Sequence, residues 1–573
     1  MSELSNYWTR KTISRRATLR GATVAAGGIV AFGLTGCSSS RPASSAATSA
    51  RTSGPLDPTK GKQGGKIVIQ QYGDPGGGLE MVKIRNAGVH QLAGFTHDGL
   101  LEFRNGTPAF PGTDIGVQPN LAQAMPEQPD PLTYVFKLRP SKFHNGRTVV
   151  SDDVKYSYDL YASGSDSALK SDWVFLDSVQ APDPQTVVVK TKYPYADAPQ
   201  DMAQRYYADI LCREWQESPE SQKKLLGSGA FLFVDYQPPV AAHYKRNPDY
   251  QRQPYPYFDE IEFLENSDLE KKIADFSTRQ VHMTYWFDEE ATDRVKKARP
   301  DAQSWTYPGS MGNIYMRADK PPFNDKRVRQ ALSMAIDRKA LSQATTQGKG
   351  EPDQALSIAG VYWGFRKPSD LGASAKYWNY DPQAAKQLLQ AAGVSLPMKF
   401  EMPHWNASVI GQKFVDAITL IEAQWRNAGI ADVKDTELTF GQAAGTISIG
   451  NYDAAQWYPS TVGYTPDIGL MLKNQLWSPP DGIKGPPTLN VTYCNNPALS
   501  ALLDKQVGQF NKDERIQTFR QIEDILAEEQ YRIGTITITN TWFGDPSVKN
   551  MQTGRDAYNG AIPYVKYWWF DKA

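Results

Sequence analysis

Apolar residues recur along the chain at the two spacings that mark buried helix and strand faces. Between Val328 and Ile336 they fall at i, i+3, i+4, i+7 and i+8, the pattern of one buried helix face, and Asp325 precedes them as a candidate N-cap. Three more helices are predicted: one from Asp381–Pro382 to Gly393, one from about Ser408 to Asn427, and one beginning near Asp513.

Short runs rich in β-branched and aromatic residues predict strands along the whole chain. They are Lys66–Gln70, Tyr134–Leu138, Thr186–Val189, Phe231–Phe233, Ile261–Leu264, Lys399–Glu401 and Thr535–Thr539. Because strands and helices alternate without a detectable repeat, the pattern predicts an α/β or α+β fold whose sheets are assembled from distant segments.

Polar residues near two predicted helices lead to further local predictions. The stretch from Leu132 to Ser157 is typical of a strand, a turn at Asn145–Gly146 and a helix capped by Ser151. The charges of Lys326, Arg327 and Arg329 are predicted to form the solvated face of the helix that follows Asp325.

The N-terminal segment has the pattern of an export signal. Arg15 and Arg16 precede a 16-residue uncharged and mildly apolar run, residues 21–36, which ends at Cys37. A spanning helix would need about 20 apolar residues, so this run is short for one. The arginine pair resembles a twin-arginine signal and Leu34–Cys37 resembles a lipoprotein box, which implies a lipid on Cys37. A leader that is never cleaved and remains as a membrane anchor is the alternative.

Residues 37–65 consist mainly of Ser, Ala, Thr, Gly, Pro and basic residues, so we predict a flexible tether between the membrane and a soluble body. The whole chain balances 62 basic against 62 acidic residues. Residues 1–66 hold ten of the basic residues and two of the acidic ones, so the remaining body is mildly acidic. That distribution argues against a nucleic-acid partner.

Motifs for catalysis or metal binding are not found in the sequence. It contains no GxSxG, HExxH, GxGxxG or GxxxxGK[ST] pattern, so we predict no enzyme activity, cofactor or metal site. His90 and His97 are seven residues apart, which is weak support for a metal pair. Cys212 and Cys494 are expected to be two buried, unbonded thiols.

Aromatic residues make up 11% of the chain, and three groups stand where strands end or polar loops begin. These groups are Tyr285–Trp286, His404–Asn406 and Gln456–Tyr458. Flat side chains beside a few polar groups suit the stacking of sugar rings or the binding of peptide side chains. We therefore predict that these groups line a binding cleft.

Four ordered stretches resemble the family 5 bacterial extracellular solute-binding proteins. They are Leu132–Ser157, Pro321–Arg338, Gly227–Phe231 with Arg246–Tyr250, and Tyr380–Gly393. The resemblance extends from about residue 66 to the C-terminus. It implies a type II periplasmic-binding-protein fold of class α/β, with two lobes, an extra subdomain in the first lobe and a ligand cleft between the lobes.

The resemblance also implies a domain division. It is 1–36 export signal; 37–65 tether; 66–95, 225–308 and 535–573 lobe I; 96–224 inserted subdomain; and 309–534 lobe II. Two strands would cross between the lobes, near Tyr307–Asn313 and Ile533–Thr539.

The implied function is capture of an oligopeptide-like solute by a lipid-anchored, monomeric receptor outside the cytoplasm, which delivers the solute to ABC permease subunits in the membrane. Solute-binding candidates are Tyr72, Gly73, Asp74, Trp286, Ser310, Met311, Trp405, Asn406, Trp457, Tyr458 and Asp467. Oligopeptide-binding relatives have an Asp three residues after the Trp that Trp457 matches, and Ser460 stands there in this chain. An oligosaccharide is therefore the alternative solute, and an exported enzyme or a sensor-coupled receptor is the alternative from another class.

Overall fold

The computed structural model describes a large part of the body of the chain. The described residues are 60–71, 78–84, 87–104, 116–204, 207–266, 268–350, 363, 365–444, 446–447, 450–461, 468–478, 490–551 and 562–571. The predicted export signal and nearly all of the tether lie outside these ranges. Within them, no helix is both long and apolar enough to cross a membrane.

Eighteen strands are formed by the described residues. They are β1 Lys66–Gln71, β2 Leu101–Phe103, β3 Val117–Pro119, β4 Glu127–Asp130, β5 Thr133–Lys137, β6 Leu176–Asp183, β7 Thr186–Thr191, β8 Phe231–Gln237, β9 Ala241–Arg246, β10 Glu260–Glu265, β11 Met283–Phe287, β12 Gln303–Met316, β13 Met398–Trp405, β14 Ala431–Leu438, β15 Ala455–Thr461, β16 Arg532–Gly544, β17 Val548–Lys549 and β18 Trp569–Phe570. The largest sheet has the order β15-β12-β16-β11-β1-β10-β9-β8, and a four-stranded sheet has the order β4-β5-β7-β6. β13 and β14 pair in parallel.

Helices flank these sheets. Within the described residues they are α1 Ala87–Ala93, α2 Ser151–Ser163, α3 Ala198–Asp201, α4 Arg213–Gln216, α5 Leu269–Ser277, α6 Glu289–Ala298, α7 Lys326–Met334, α8 Arg338–Thr346, α9 Pro382–Ala391, α10 Ala407–Ile410, α11 Gln412–Asn427, α12 Phe440–Ala444, α13 Ile468–Leu476, α14 Pro497–Val507 and α15 Lys512–Glu529.

The predicted strands are all present, most of them longer than expected, and two predicted helix starts are confirmed in atomic detail. The Asp325 carboxylate accepts the backbone N–H of Arg327 at 2.9 Å and caps α7. Asp381 caps α9, whose first residue is Pro382, and Gly393 follows this helix with a φ of 71°. Helices commonly have proline at their first position and a left-handed glycine just after their end, which is why this helix could be predicted from the sequence.

Two predicted helix boundaries are wrong. Val150, not Ser151, is the N-cap of α2, and the Asp153 carboxylate accepts the Val150 backbone N–H at 2.9 Å. The helix expected from Ser408 is divided into α10 and α11 by Gly411, whose φ of 87° lies in the left-handed region. A left-handed residue cannot continue an α-helix, so the chain turns there.

The prediction that Arg329 is solvated is also wrong. Its side chain is 2% exposed. The guanidinium donates to the carbonyls of Phe323 and Glu529 and to the Glu529 carboxylate. Because these acceptors satisfy the charged group, it can be buried where the helix packs against the end of α15.

The long strands β12 and β16 join two hydrophobic cores. The larger core packs α7, α11 and α15 against β12, β13 and β15, and it includes Ile533 and Ile536 of β16. A smaller core lies around α5 and α6, and it includes Phe543, near the other end of β16. β12 and β16 pair antiparallel from Gln303 opposite Gly544 to Tyr315 opposite Arg532. The predicted crossings fall within this pair, and the exact domain boundaries stay a prediction.

Candidate functional site at the junction of two cores

Trp405, Asn406 and Tyr458 come together at the end of β13. The rings of Trp405 and Tyr458 are 4.6 Å apart between centroids, and both side chains are half-buried. The Asn406 backbone N–H donates to the Leu438 carbonyl at 2.9 Å, which fixes the chain as it leaves the strand. The parallel partner strand β14 therefore holds this segment in place, and three of the predicted site residues form one continuous group.

Trp457 lies on the opposite face of β15 from Tyr458. Successive side chains of a strand alternate between faces, so these neighbours cannot both contribute to one surface. The Trp457 ring is 0% exposed and packs against Phe414 of α11, with ring centroids 4.9 Å apart. A Cβ on Gly312 would come within 2.3 Å of the Trp457 ring, so the glycine makes this close packing possible. In this conformation Trp457 has no exposed surface for a solute, and its predicted role in solute binding stays a prediction.

Ser310 and Met311 lie on β12 where this strand is paired on both edges. Ser310 stands opposite Thr461 of β15 and Ile538 of β16, and the Met311 side chain is 0% exposed. The pairing with β16 is interrupted by register shifts between Pro308 and Ser310 and between Met311 and Asn313. A solute would reach the backbone of this segment only at such interruptions, because regular ladder groups already bond to their neighbours.

Most of the remaining predicted residues lie outside the described part of the chain. These residues are Tyr72, Gly73, Asp74, Asp467, Cys37, Arg15 and Arg16. Trp286 lies on β11, and only its backbone is described.

An ion-pair cluster that the sequence did not reveal connects α6 with α11. The Lys413 ammonium lies 3.1 Å from both Asp288 Oδ2 and Glu289 Oε2. The hydroxyl of Thr539 on β16 donates to Glu289 Oε1 at 2.8 Å. Burial lowers the pKa of Lys413, but the two carboxylates outweigh this effect and raise it. The N-cap residue Asp288 follows a recognisable sequence pattern for a helix start. Lys413 is 125 positions further along the chain, and no local pattern indicates that it would contact Asp288.

A second cluster lies directly beneath Trp405. His404 is 0% exposed; its Nδ1 is 2.7 Å from the Trp405 carbonyl oxygen, and its Nε2 is 2.7 Å from Asp435 Oδ1. Burial alone would lower the pKa of His404, but the contacts with Asp435 and the Trp405 carbonyl raise it. Burial and the nearby Asp435 raise the pKa of Glu422 to about 7.

The other histidines and cysteines bear on the metal and thiol predictions. His97 Nδ1 is 2.8 Å from the Thr96 hydroxyl, and His90 Nε2 is 3.3 Å from the Ile84 carbonyl. Among the described residues, no three His, Cys, Asp or Glu side chains are grouped so that they could hold a metal ion. Cys212 and Cys494 are buried and unbonded to each other, as predicted.

Comparison with known proteins identifies the family. The profile of the bacterial extracellular solute-binding proteins, family 5 (middle region), matches residues 116–475, more than half of the chain. Heme-binding protein A of Haemophilus influenzae is 26% identical over 468 residues, which are 75% of this chain and 79% of that protein. Oligopeptide-binding protein AppA of Bacillus subtilis is 25% identical over 383 residues, 64% of this chain and 65% of AppA.

Solved structures confirm the predicted fold. The binding protein AgaA of A. tumefaciens R10, in complex with agropinic acid, superposes with a TM-score of 0.72 at 22% identity, covering 89% of this chain and 99% of AgaA. AppA of Bacillus subtilis, in complex with a nonapeptide, gives a TM-score of 0.69 at 19% identity, covering 90% of this chain and all of AppA. Likeness at this level of identity concerns the fold alone. Together with the profile match, it shows that the chain belongs to the bacterial extracellular solute-binding proteins of family 5, the solute-binding components of ABC importers that work outside the cytoplasm.

Proposed function

We propose that this protein is a lipid-anchored receptor that captures an oligopeptide-like solute between two lobes and delivers it to the permease of an ABC importer. Two observations support the proposal: the rings of Trp405 and Tyr458 lie side by side, with Asn406 next in the chain, and Lys413 of the following helix α11 bridges to Asp288 and Glu289. Lys413 and its two carboxylate partners lie where helices of the two cores meet, and the Trp405 and Tyr458 rings pack against a further cluster around Tyr315 and Tyr452. A solute bound there would contact both cores only in the closed form, so binding would favour closure.

The chemistry of the candidate residues favours a peptide-like solute. Trp405 and Tyr458 offer stacking surface, and Asp288, Glu289 and Lys413 offer charges of both signs. A peptide carries an ammonium, a carboxylate and apolar side chains, which suits this combination. The relatives AppA and AgaA carry a nonapeptide and agropinic acid in their solved complexes, and both of these compounds bear carboxyl groups.

An oligosaccharide is the second candidate, and one feature of the sequence favours it. Ser460 stands where oligopeptide-binding relatives have the acid that pairs with the peptide amine. A buried ammonium without a carboxylate would be costly, whereas a neutral sugar needs no such partner. The rings of Trp405 and Tyr458, tilted by 50° to each other, would then offer a face for stacking on a sugar ring.

Membrane attachment is proposed from the N-terminal sequence. Arg15 and Arg16 would direct export, and Cys37 would carry the lipid at the start of the mature chain. Because one acyl chain holds a protein only weakly, we expect more than one chain on Cys37. The tether would leave the monomeric body free to meet its permease.

A thermal-shift screen of the purified body, without residues 1–55, tests the proposed function. The panel holds di- to pentapeptides, cello-, xylo- and manno-oligosaccharides, and hemin, which is included because of the name of the Haemophilus relative. A solute at 100 times its dissociation constant should stabilise the folded protein by about 2.7 kcal/mol. Stabilisation by peptides supports the proposal, stabilisation by sugars alone supports the second candidate, and a flat response to every compound contradicts both.

A further inference from the structure

A buried histidine holds the peptide group between Trp405 and Asn406 from one side. His404 Nδ1 lies 2.7 Å from the carbonyl oxygen of Trp405. On the other side, the N–H of the same peptide group, which belongs to Asn406, donates to the Leu438 carbonyl at 2.9 Å. The peptide group is therefore fixed at both its oxygen and its hydrogen. Its orientation sets the direction in which Asn406 and α10 leave β13.

The two contacts of His404 favour the form in which both ring nitrogens carry a proton. A backbone carbonyl only accepts a hydrogen bond, so Nδ1 must donate to Trp405. Nε2 lies 2.7 Å from Asp435 Oδ1, an ion-pair distance at an angle outside that of a hydrogen bond. A proton on Nε2 makes this short contact attractive, whereas the lone pair of an unprotonated Nε2 would be repelled by the carboxylate. A neutral imidazole has one N–H and can satisfy one of these partners at a time. The arrangement therefore fits the imidazolium and is incomplete for either neutral tautomer.

The surrounding charges favour the imidazolium. β14 contributes the carboxylates of Asp435 and Glu437, and α11 contributes Arg426, the only like charge in this set. Glu422 of α11 adds a negative charge only above its own pKa of about 7. β15 and α12, which also pack against β13, contribute no charged side chain. Because the histidine is 0% exposed, water cannot replace a lost partner, and deprotonation must weaken one of its two contacts.

From this geometry we infer that His404 is a proton-linked positioning residue for the solute-binding segment Trp405–Asn406. In its charged form, His404 contacts both the Trp405 carbonyl and Asp435, and this pair of contacts is called the clamp. In its neutral form, it loses one of the two contacts. Solute affinity then falls as the pH rises through the titration of His404. The link to affinity rests on the proposed function, whereas the clamp itself is a property of the unliganded protein.

Two measurements on the unliganded protein test the clamp. Imidazole NMR, with the His404 signal assigned by its loss in His404→Gln, is expected to show both ring nitrogens protonated at pH 6.5. Hydrogen exchange of the segment 405–411, corrected for the intrinsic rate, is expected to lose at least fivefold in protection between pH 6 and pH 8.5 in the wild type. Because Glu422 beside the histidine also titrates near pH 7, the comparison is made in a Glu422→Gln background, where protection is expected to depend on pH with His404 and to be independent of pH in His404→Gln.

A second variant and a matched control make the result decisive. Asp435→Asn keeps the histidine but removes its carboxylate partner, so the midpoint of the exchange transition should move to lower pH even if His404→Gln folds poorly. His243 is the control because it also lies beside an acid, with Nδ1 2.8 Å from Asp235 Oδ1, but on β9. His243→Gln should leave the exchange profile of segment 405–411 unchanged. A pH-independent profile in the wild type, or one that neither His404→Gln nor Asp435→Asn alters, would overturn the clamp.

The affinity measurement separates the clamp from the proposed function. For any solute found in the screen, the dissociation constant is expected to rise at least fivefold between pH 6 and pH 8.5 in the wild type and to stay constant in His404→Gln. Parallel profiles in both proteins would overturn the link between His404 and binding. Absence of any bound solute would contradict the proposed function and leave the exchange result to decide the clamp.

Discussion

The guanidinium of Arg515 binds the carboxylate of Asp197 through both of its terminal nitrogens, and the two side chains are 3% and 2% exposed. Gln506 also accepts from the same guanidinium, at 2.7 Å. Beside this pair, the Ala196 backbone N–H donates to the Val507 carbonyl at 2.8 Å. A segment that follows the four-stranded sheet is thereby joined to α14 and α15 of the larger core. The two residues are 318 positions apart in the sequence.

Removal of one partner of this pair should be costly. Asp197→Asn leaves the Arg515 charge buried without its carboxylate, and we expect a loss of about 3–5 kcal/mol in the free energy of unfolding. The combined replacement Asp197→Leu with Arg515→Met removes both charges, so it should recover part of the loss. Urea unfolding measures both values. Glu270→Gln is the matched control, because its pair with Arg294 is exposed to solvent and its loss should change the free energy of unfolding far less. A loss below 1 kcal/mol for Asp197→Asn would contradict the importance of the buried pair.

Trp457 is predicted to matter most for stability. Its fully buried ring packs against Phe414, so Trp457→Ala should leave a cavity and cost about 3–5 kcal/mol. Thermal and urea unfolding check this expectation. Tyr458→Ala, at the next position but on the other face of β15, should cost clearly less because Tyr458 is half-buried. Equal losses for the two variants would contradict the difference in packing.

Trp405 is predicted to matter most for solute affinity. If it stacks on the solute, Trp405→Ala should weaken binding by more than about tenfold, or roughly 1.4 kcal/mol. Titration calorimetry with a solute from the screen measures the change. Trp363→Ala is a control because this buried tryptophan contacts Phe519 in the larger core, away from the junction. Unchanged affinity in a folded Trp405→Ala variant would exclude Trp405 from the site.

Glu422 should make stability depend on pH. Burial and Asp435 raise the pKa of this carboxyl from 4.5 to about 7, so the folded protein retains a proton that the unfolded chain releases. Stability should therefore fall as the pH rises from about 4.5 to about 7, and the loss is complete above that range. Glu422→Gln cannot ionise and should exceed the wild type by about 1–3 kcal/mol at pH 8, with no gain at pH 4. Urea unfolding at both pH values checks this, with the exposed Glu290→Gln as control. A gain that is the same at both pH values would point to a cause other than ionisation.

Cys37 is predicted to hold the protein at the membrane. Cys37→Ser removes the lipidation site, so the protein should move from the membrane fraction to the soluble fraction of the cell envelope. Immunoblots of fractionated cells measure the change, and Cys212→Ser serves as control because that thiol is buried in the body. Retention of the Cys37→Ser protein in the membrane would favour an uncleaved N-terminal anchor instead.

Local chemistry explains what could be predicted about the site. Trp405 and Tyr458 could be predicted because both are aromatic residues with polar neighbours in sequence, and their ring centroids lie 4.6 Å apart in the structure. Lys413, Asp288 and Glu289 were missed because their significance lies in a contact between distant segments. Trp457 was grouped with Tyr458 because they are neighbours in sequence, although the alternation of side chains along a strand separates them.

The sequence by itself determined the α/β class, the position of most strands, the capped ends of α7 and α9, and the family. These features depend on short patterns: apolar periodicity, caps, and motifs of consecutive residues. Only the tertiary structure decided that Arg329 is buried, that Trp457 belongs to a core, that Asp197 meets Arg515, and that His404 contacts Asp435 beneath the proposed binding segment. Burial of a charge or a ring depends on which distant groups can satisfy or cover it, and no local pattern in the chain records those partners.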